Sequence, residues 1–345
     1  MVPEWVFDCG NTGENLTRSK VLFVFSKIMQ MIIMLIVLSI IVFAISRACP
    51  GDPLKSYYGD GVEHMSTQEQ YEARERLGLN DPLATQYFRW AKNSLEGDWG
   101  ISYKYKRPVK DVIGKFWPNT LLLGGITLAL IFPLSMLLGR YCARREDTLA
   151  DRVICKIGVI SGSIPAFLLA LVLLLLFAVK LPVFPTGGAY SYGSDGSLPD
   201  RLWHLVLPVS AMVITHLWYF AYLVRNKLTY ETRRDYVLLC KVKGLSDKQI
   251  IKKHCMKNIM PSLLTLLAVQ VQHILGGAYV IEMVFSYPGL GELSFESAKY
   301  QDYNMLMALC LLTGAVVLVT NLIVQIANEF IDPRMRYEER VVEDA

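Results

Sequence analysis

The sequence predicts an all-α membrane protein that crosses the bilayer six times, and three observations carry that prediction. The 345 residues are 53% hydrophobic and only 19% charged, with a mean hydropathy of +0.33, too apolar for a soluble domain of even composition. Six windows contain no Asp, Glu, Lys or Arg: 28–46, 116–139, 157–179, 202–224, 258–281 and 303–328. Each matches the roughly 20 residues that a helix rising about 1.5 Å per residue needs to cross about 30 Å of hydrocarbon. A bilayer offers backbone amides no water, so windows of this length are expected to be helical, with Pro118, Pro133, Pro165, Pro208 and Pro261 marking ends or kinks. Seven cysteines in this length make no disulfide framework. A net charge of +4 gives no support to a nucleic-acid partner.

The charges also divide the chain. Residues 1–27 read as a cytoplasmic tail, 28–46 as the first span, 47–115 as an extracytoplasmic loop, 116–330 as a five-span core and 331–345 as a second cytoplasmic tail. Orientation follows from the short connections. Residues 140–156 carry Arg140, Arg144, Arg145, Arg152 and Lys156, and residues 225–257 carry about ten basic residues against Glu231, Asp235 and Asp247. Arg334, Arg336 and Arg340 repeat the bias, so both termini are expected inside. The first window ends Ser46-Arg47-Ala48-Cys49, but Arg47 stands where lipid attachment at a cysteine wants a small uncharged residue, so an uncleaved span is expected. Cys9, Cys142, Cys155, Cys240 and Cys255 then fall on the reducing side, and no disulfide is expected.

Within the outer loop, residues 66–78 read as a short helix opening at Ser66 or Thr67, with Glu69 as capping-box partner and Gly78 as its close. After Asp81-Pro82, the residues Leu83, Tyr87, Phe88 and Trp90 recur at helical spacing until Gly97-Asp98-Trp99-Gly100. On the inner side, 233–258 predicts a helix, a turn and a helix. Tyr236, Val237, Leu239 and Cys240 form the apolar part of the first helix, and Lys243-Gly244-Leu245-Ser246 ends it, Gly244 supplying the backbone freedom of a C-terminal cap. Ser246 or Asp247 then caps a second helix that runs into the fifth span. Such an element either lies on anionic lipid or inserts into a groove on a cytoplasmic protein.

No residue pattern supports catalysis. There is no G-x-x-x-x-G-K-[ST] stretch, since Gly114-Lys115 is followed by Phe116, and there is no H-E-x-x-H, G-x-S-x-G or Cys-x-x-Cys. Polar residues inside the windows are few: His204 and His216 in the fourth, Gln270, Gln272 and His273 in the fifth. Groups at that depth pack helices together or face a water-filled path. Isolated histidines without carboxylate companions make a weak metal signal, and no metal site is expected. Between the last two spans, Glu282-Met283-Val284-Phe285-Ser286-Tyr287-Pro288-Gly289-Leu290-Gly291 is a tight apolar loop. It forms either part of a gate, enclosed by protein, or an interfacial turn anchored by Phe285 and Tyr287.

Taken in order, Leu77-Gly78-Leu79-Asn80-Asp81-Pro82-Leu83, Gly97-Asp98-Trp99-Gly100-Ile101-Ser102-Tyr103, Arg107-Pro108-Val109, Ser163-Ile164-Pro165-Ala166-Phe167, Lys243-Gly244-Leu245-Ser246, Pro288-Gly289-Leu290-Gly291 and Asp332-Pro333-Arg334 span nearly the whole chain. In this ordered set the sequence resembles the inner-membrane permeases of ABC importers, of the first-subunit type in the dipeptide, oligopeptide and nickel branch. The resemblance implies a type I importer permease fold in a bacterial or archaeal inner membrane. It implies four partners besides the lipid bilayer: a homologous second permease, two ATPase subunits and an extracytoplasmic binding protein. ATP and Mg would be bound by the ATPases, with no cofactor in this chain. Tyr236 to Leu245 would be the helix seated in an ATPase cleft. Cys240 and Val242 stand where alanines are common in the family, and Asn258 and Met260 where Ile and Leu are usual, while Pro261 is kept. The cargo implied is a di- or oligopeptide, with nickel or a metal chelate as the alternative, and Gln270, His273, Glu282, Tyr287, Pro288, Gly289 and Gly291 are the candidate path or gate residues.

Overall fold

The structure, a computed structural model, describes residues 12–49, 54, 58–193 and 196–331. Cys9, Asp332-Pro333-Arg334 and the tail arginines Arg336 and Arg340 lie outside the described residues. The first helix, α1 (Thr12–Ala48), reaches well beyond the charge-free window on its N-terminal side. Two short helices follow. In α2 (Thr67–Arg76) the Ser66 amide donates to Glu69 Oε2 at 2.7 Å and the Glu69 amide to Ser66 Oγ at 3.3 Å, the reciprocal capping box the sequence predicts. Gly78 closes the turn at φ +65°. Helix α3 (Leu83–Leu95) starts after Pro82 and lies against the end of α1. There the Phe43 ring packs on Tyr87 and Trp90, each with centroids 5.5 Å apart, and Ser39 Oγ meets the Tyr87 hydroxyl at 2.8 Å.

The core spans follow as α4 (Val109–Arg144), α5 (Leu149–Ser163), α6 (Ala166–Leu174, prolonged by a π-helical turn over Leu175–Lys180) and α7 (Leu198–Thr232). After the short α8 (Asp235–Val242) come α9 (Asp247–Val284), α10 (Leu290–Lys299) and α11 (Tyr303–Ile331). Five helices among the described residues are long and apolar enough to cross a membrane singly. The window 157–179 is not one straight span, because α5 and α6 meet at 96°. The cause is local: Pro165 brings no N–H, and it holds Ile164 in extended backbone at ψ 122°. This bent pair takes the place of the single straight span expected over 157–179. Pro118, Pro133, Pro208 and Pro261, by contrast, sit inside continuous helices.

Helix α7 is the hub, with α4 and α5 packed along it. Gly139 of α4 and Gly158 of α5 permit the approach: a methyl group on Gly139 would lie 2.6 Å from Val224, and one on Gly158 2.8 Å from the Trp218 carbonyl oxygen. Three apolar clusters fill the bundle. One lies at mid-depth between α4, α6, α7 and α9, and one at the α8 end around Leu228, Val237, Ile250 and Ile259. The third, around Val109, Leu293 and Met305, lies at the opposite end, which we call the loop end.

Candidate functional site

Two sites stand at opposite ends of the bundle. At the first, α8 projects between α7 and α9, and hydrogen bonds close its last turn. The Gly244 amide donates to Lys241 O at 2.9 Å and the Leu245 amide to Cys240 O at 3.2 Å, a paired cap that requires the left-handed backbone Gly244 adopts at φ +80°. Ser246 then opens α9, its amide and hydroxyl both donating to Gln249 Oε1 at 3.0 Å. Hydrogen bonds as well as apolar packing hold α7, α8 and α9 together. Asn258 Nδ2 donates to Glu231 Oε1 at 3.0 Å, and the Tyr236 hydroxyl donates to Cys255 Sγ at 3.5 Å. Burial raises the Tyr236 phenol above its ordinary range, so it stays protonated as a donor.

The apolar residues of α8 divide differently from the sequence expectation. Val237 and Cys240 are buried in the chain's own core, and Tyr236 is half-buried there, so these three are internal packing residues. Leu239 does face outward, 56% exposed, together with Leu238 at 68% and Val242 at 79%. Leu238 and Val242 were missed because a helix of eight residues is too short for periodicity to say which side meets the bundle. Lys243, Gly244 and Ser246 are exposed beside this apolar row, and Leu245 is half-buried.

At the loop end, residues 285–289 fold into the protein. Glu282 is wholly buried near the end of α9, where Thr120 Oγ1 donates to its Oε1 at 2.6 Å and the Gly291 amide to its Oε2 at 2.7 Å. Thr120 Oγ1 in turn accepts from the Leu290 amide at 2.7 Å. The Glu282 carboxyl and the Thr120 hydroxyl between them thus accept the Gly291 and Leu290 amides that open α10. A second chain of bonds holds the loop to α4 and α7: Arg201 Nη2 donates to Asn119 Oδ1, and Asn119 Nδ2 to Pro288 O, both at 2.8 Å. Gly289 and Gly291 let this happen, since a methyl group on Gly289 would lie 2.1 Å from Glu282 Cδ and one on Gly291 2.3 Å from Tyr279 Cα. Phe285 and Tyr287 are buried to 1% and 0% exposure, which overturns the reading of an interfacial turn anchored at headgroup level. Asn119, Thr120 and Arg201 had escaped notice, because the contacts of Asn119 and Thr120 with this loop cross more than 160 residues of sequence.

The intramembrane polar residues do not converge on one point. Gln270 is buried, and neither of its amide atoms has a hydrogen-bond partner among the described residues. Gln272 Nε2 reaches Asn321 Oδ1 on α11 at 3.4 Å. His273 is exposed on the bundle surface. His216 bonds Met212 O through Nδ1 at 2.8 Å, and His204 is buried with Nδ1 2.9 Å from Asp200 O. Among the described residues no group of three or more His, Cys, Asp or Glu is placed to hold a metal ion.

Comparison with known proteins gives this architecture a family. Residues 135–337 match the model of the binding-protein-dependent transport system inner membrane component, and residues 20–124 match that of the N-terminal part of such membrane components. The chain belongs to this family. It is therefore a multi-pass membrane permease of the ABC importer class. The oligopeptide transport system permease protein AppB of Bacillus subtilis is 31% identical over 316 residues, which cover 91% of this chain and 99% of AppB. The oligopeptide transport system permease protein OppB of Haemophilus influenzae is 30% identical over the same length, covering 91% and 99%. A putative peptide permease protein of Brucella ovis is 32% identical over 304 residues, 88% of this chain and 95% of its own. Among solved structures, an inward-facing MetNI methionine ABC transporter chain aligns over 65% of this chain and 94% of its own, with 17% identity and a TM-score of 0.46.

Proposed function

We propose that this permease forms half of the translocation path of an ATP-driven, binding-protein-dependent importer of di- or oligopeptides, and that α8 is where it receives force. The observation that carries this reading is the row Leu238, Leu239 and Val242, exposed on a helix whose other side is locked into the chain. Apolar side chains on a projecting helix need a surface to cover them, and helix-in-groove docking supplies one. The groove belongs to an ATPase subunit on the cytoplasmic side, and both termini of the permease are cytoplasmic, as the Lys and Arg bias requires. The permease itself is non-catalytic and binds no nucleotide; ATP and Mg sit in the two ATPase subunits.

The packing of α8 explains how a push would reach the membrane. Val237 and Cys240 lie in one cluster with Leu228 of α7, Met136 of α4 and Ile250 and Ile259 of α9. Close-packed interiors transmit displacement instead of absorbing it, so closure of the ATPases carries α8 and these spans together. With a homologous second permease the pair then alternates between inward-facing and outward-facing states, taking cargo from an extracytoplasmic binding protein. Gln270, buried with an unsatisfied amide, and the Glu282 to Gly291 loop are the path and gate residues on this side of the pair. That the curated relatives named above are peptide permeases supports peptide over nickel.

Purification from native membranes tests the assembly: the chain brings down a second permease and two ATPase subunits. Vesicles holding this polypeptide alone transport nothing, and uptake by such vesicles overturns the proposal. Mass spectrometry of the ligand retained by the binding protein decides the cargo, a peptide supporting this reading and a metal chelate replacing it.

A further inference from the structure

The apolar cluster that holds α8 draws on α4, α7 and α9, and among the described residues none of its members comes from α5. The bent pair α5–α6 nevertheless reaches the loop end. Ala170 of α6 and Ala178 of its π-helical extension share a core with Phe285 and Tyr287. In the segment that follows, the Gly188 amide donates to Phe285 O at 2.9 Å. Beyond its packing along α7, the tie between this bent pair and α8 is ionic, and it lies at the α8 end.

Asp151, in the first turn of α5, is only 1% exposed. Arg225 of α7 grips it as a fork, Nε donating to Oδ1 at 3.0 Å and Nη2 to Oδ2 at 2.7 Å. The Asp147 amide, at 3.0 Å, and the Cys155 thiol, at 3.5 Å, donate to the same carboxylate. Arg225 Nη2 also lies 3.6 Å from Glu146 Oε1, and that oxygen accepts from Arg233 Nη2 at 2.8 Å. Arg233 stands beside Arg234, the N-cap of α8. A chain of charges thus runs from the base of α8, through the turn between α4 and α5, into α5. A buried ion pair adds little stability over apolar side chains of the same volume, because desolvation offsets the attraction. What a forked pair does supply is a fixed direction and distance. Here these are the direction and distance of α5 from the segment that leads into α8.

We propose that Asp151 and Arg225 are positioning residues for coupling: they make the bent pair α5–α6 move with α8, so that closure of the ATPases reaches the loop at 285–289 through α6 as well as through α9. The inference rests on α8 as the docking element, proposed above, and adds a second route across the membrane. The two routes differ in kind. Helix α9 is continuous up to the loop, whereas α5 and α6 meet at 96°. A bent element delivers a push at its far end only if its near end cannot slip, and the fork on Asp151 prevents that slip.

The complete complex of two permeases, two ATPases and the binding protein, reconstituted in vesicles, tests this. In Arg225→Gln the ATPases co-purify as with wild type and ATP hydrolysis continues, while peptide taken up per ATP hydrolysed falls about fivefold or more. Arg225→Lys, which keeps the charge and loses the fork, falls less. An unchanged ratio in Arg225→Gln, or loss of hydrolysis and uptake in proportion, overturns the proposal. Because Arg225→Gln strands a buried carboxylate, the double variant Glu146→Gln, Arg233→Gln supplies a second measurement. These side chains are 31% and 71% exposed, so the fold is kept. The ratio falls about twofold, and an unchanged ratio overturns the proposal whatever Arg225→Gln does. Thiol labelling of Ser286→Cys, exposed on the loop, reads the far end directly by mass spectrometry of the labelled peptide. Its rate changes when a non-hydrolysable ATP analogue closes the ATPases, and in the double variant that change is lost. The same response with and without the ionic chain, or none in either, overturns the proposal. ATPases that stay bound to Leu238→Asp with Leu239→Asp would instead overturn the docking reading on which it rests.

Discussion

The two ends of this bundle solve opposite problems. At the loop end the buried carboxyl and the turn carbonyl of the tight segment find partners inside the chain: Glu282 takes the Thr120 hydroxyl and the Gly291 amide, and Pro288 O takes the Asn119 amide, while the buried Tyr287 hydroxyl has none among the described residues. At the α8 end the last turn is capped by the Lys243, Gly244 and Leu245 amides, yet Leu238, Leu239 and Val242 remain in the open. The first region is held by bonds within the chain, and the second, on the function proposed above, is completed by a partner. A substitution at the loop end should therefore act on the stability of the isolated chain, whereas one at α8 should act on assembly and coupling.

The sharpest attempt to break this contrast is Glu282→Ala. It strands the Thr120 hydroxyl and the Gly291 amide in a buried place, at a cost of about 3 kcal/mol for the lost partners. The expected outcome is a large drop in melting temperature of the purified chain and loss of uptake together. Glu282→Gln keeps an acceptor and should lose markedly less. A Glu282→Ala chain as stable as wild type would mean that the loop is held by its apolar residues alone.

Gly244→Val is the counterpart at the other end. The left-handed backbone at Gly244 costs a β-branched residue about 1–2 kcal/mol, but open space surrounds it, so no clash is added. The chain should insert with modest loss of stability, while ATP hydrolysis in the reconstituted complex proceeds without matching uptake. Wild-type transport by this variant would count against α8 as the point of coupling. Leu238→Asp with Leu239→Asp goes further toward separating the two roles. Both side chains are exposed, so the melting temperature should move little, yet ATPase subunits should no longer co-purify.

What the sequence made legible follows from the range of each signal. Local rules were enough to place the helix starts at Ser66 or its neighbour and at Ser246 or its neighbour and the turn at Gly244, since each depends on a few adjacent residues, but they did not single out Pro165 among five prolines as the one that divides a span. The six apolar windows were legible because hydrocarbon imposes a length. The inward direction of Val237 and Cys240 was not, because it depends on α7 and α9 lying to either side. Nor was the Glu282 partnership, since nothing near Glu282 in sequence marks Thr120 as its donor. The chain showed which residues were unusual for a membrane, and only the packing showed which of them met.

A smaller test extends the contrast to the solvent-facing rim of the loop end. The segment 101–108 is tied to α11 by Ser102 donating to the buried Asp302 and by Asn304 Nδ2 donating to Ile101 O at 3.0 Å. Its outermost tie is the Lys104–Glu296 ion pair. The Lys104 ammonium holds the Glu296 carboxyl below its ordinary value. A carboxyl depressed in the folded state contributes stability above its unfolded value, near 4.3, and loses that contribution as pH falls through the lowered one. The pair is partly exposed, so water and salt screen it to a few tenths of a kcal/mol. Wild type should therefore melt slightly above Glu296→Gln at pH 7, and the gap should close on acidification below about pH 4. It should also shrink in 1 M salt, where the Debye length falls to about 3 Å. A gap that survives both treatments would show that Glu296 acts through packing, and that the rim, like the buried loop beneath it, does not rely on exposed charge.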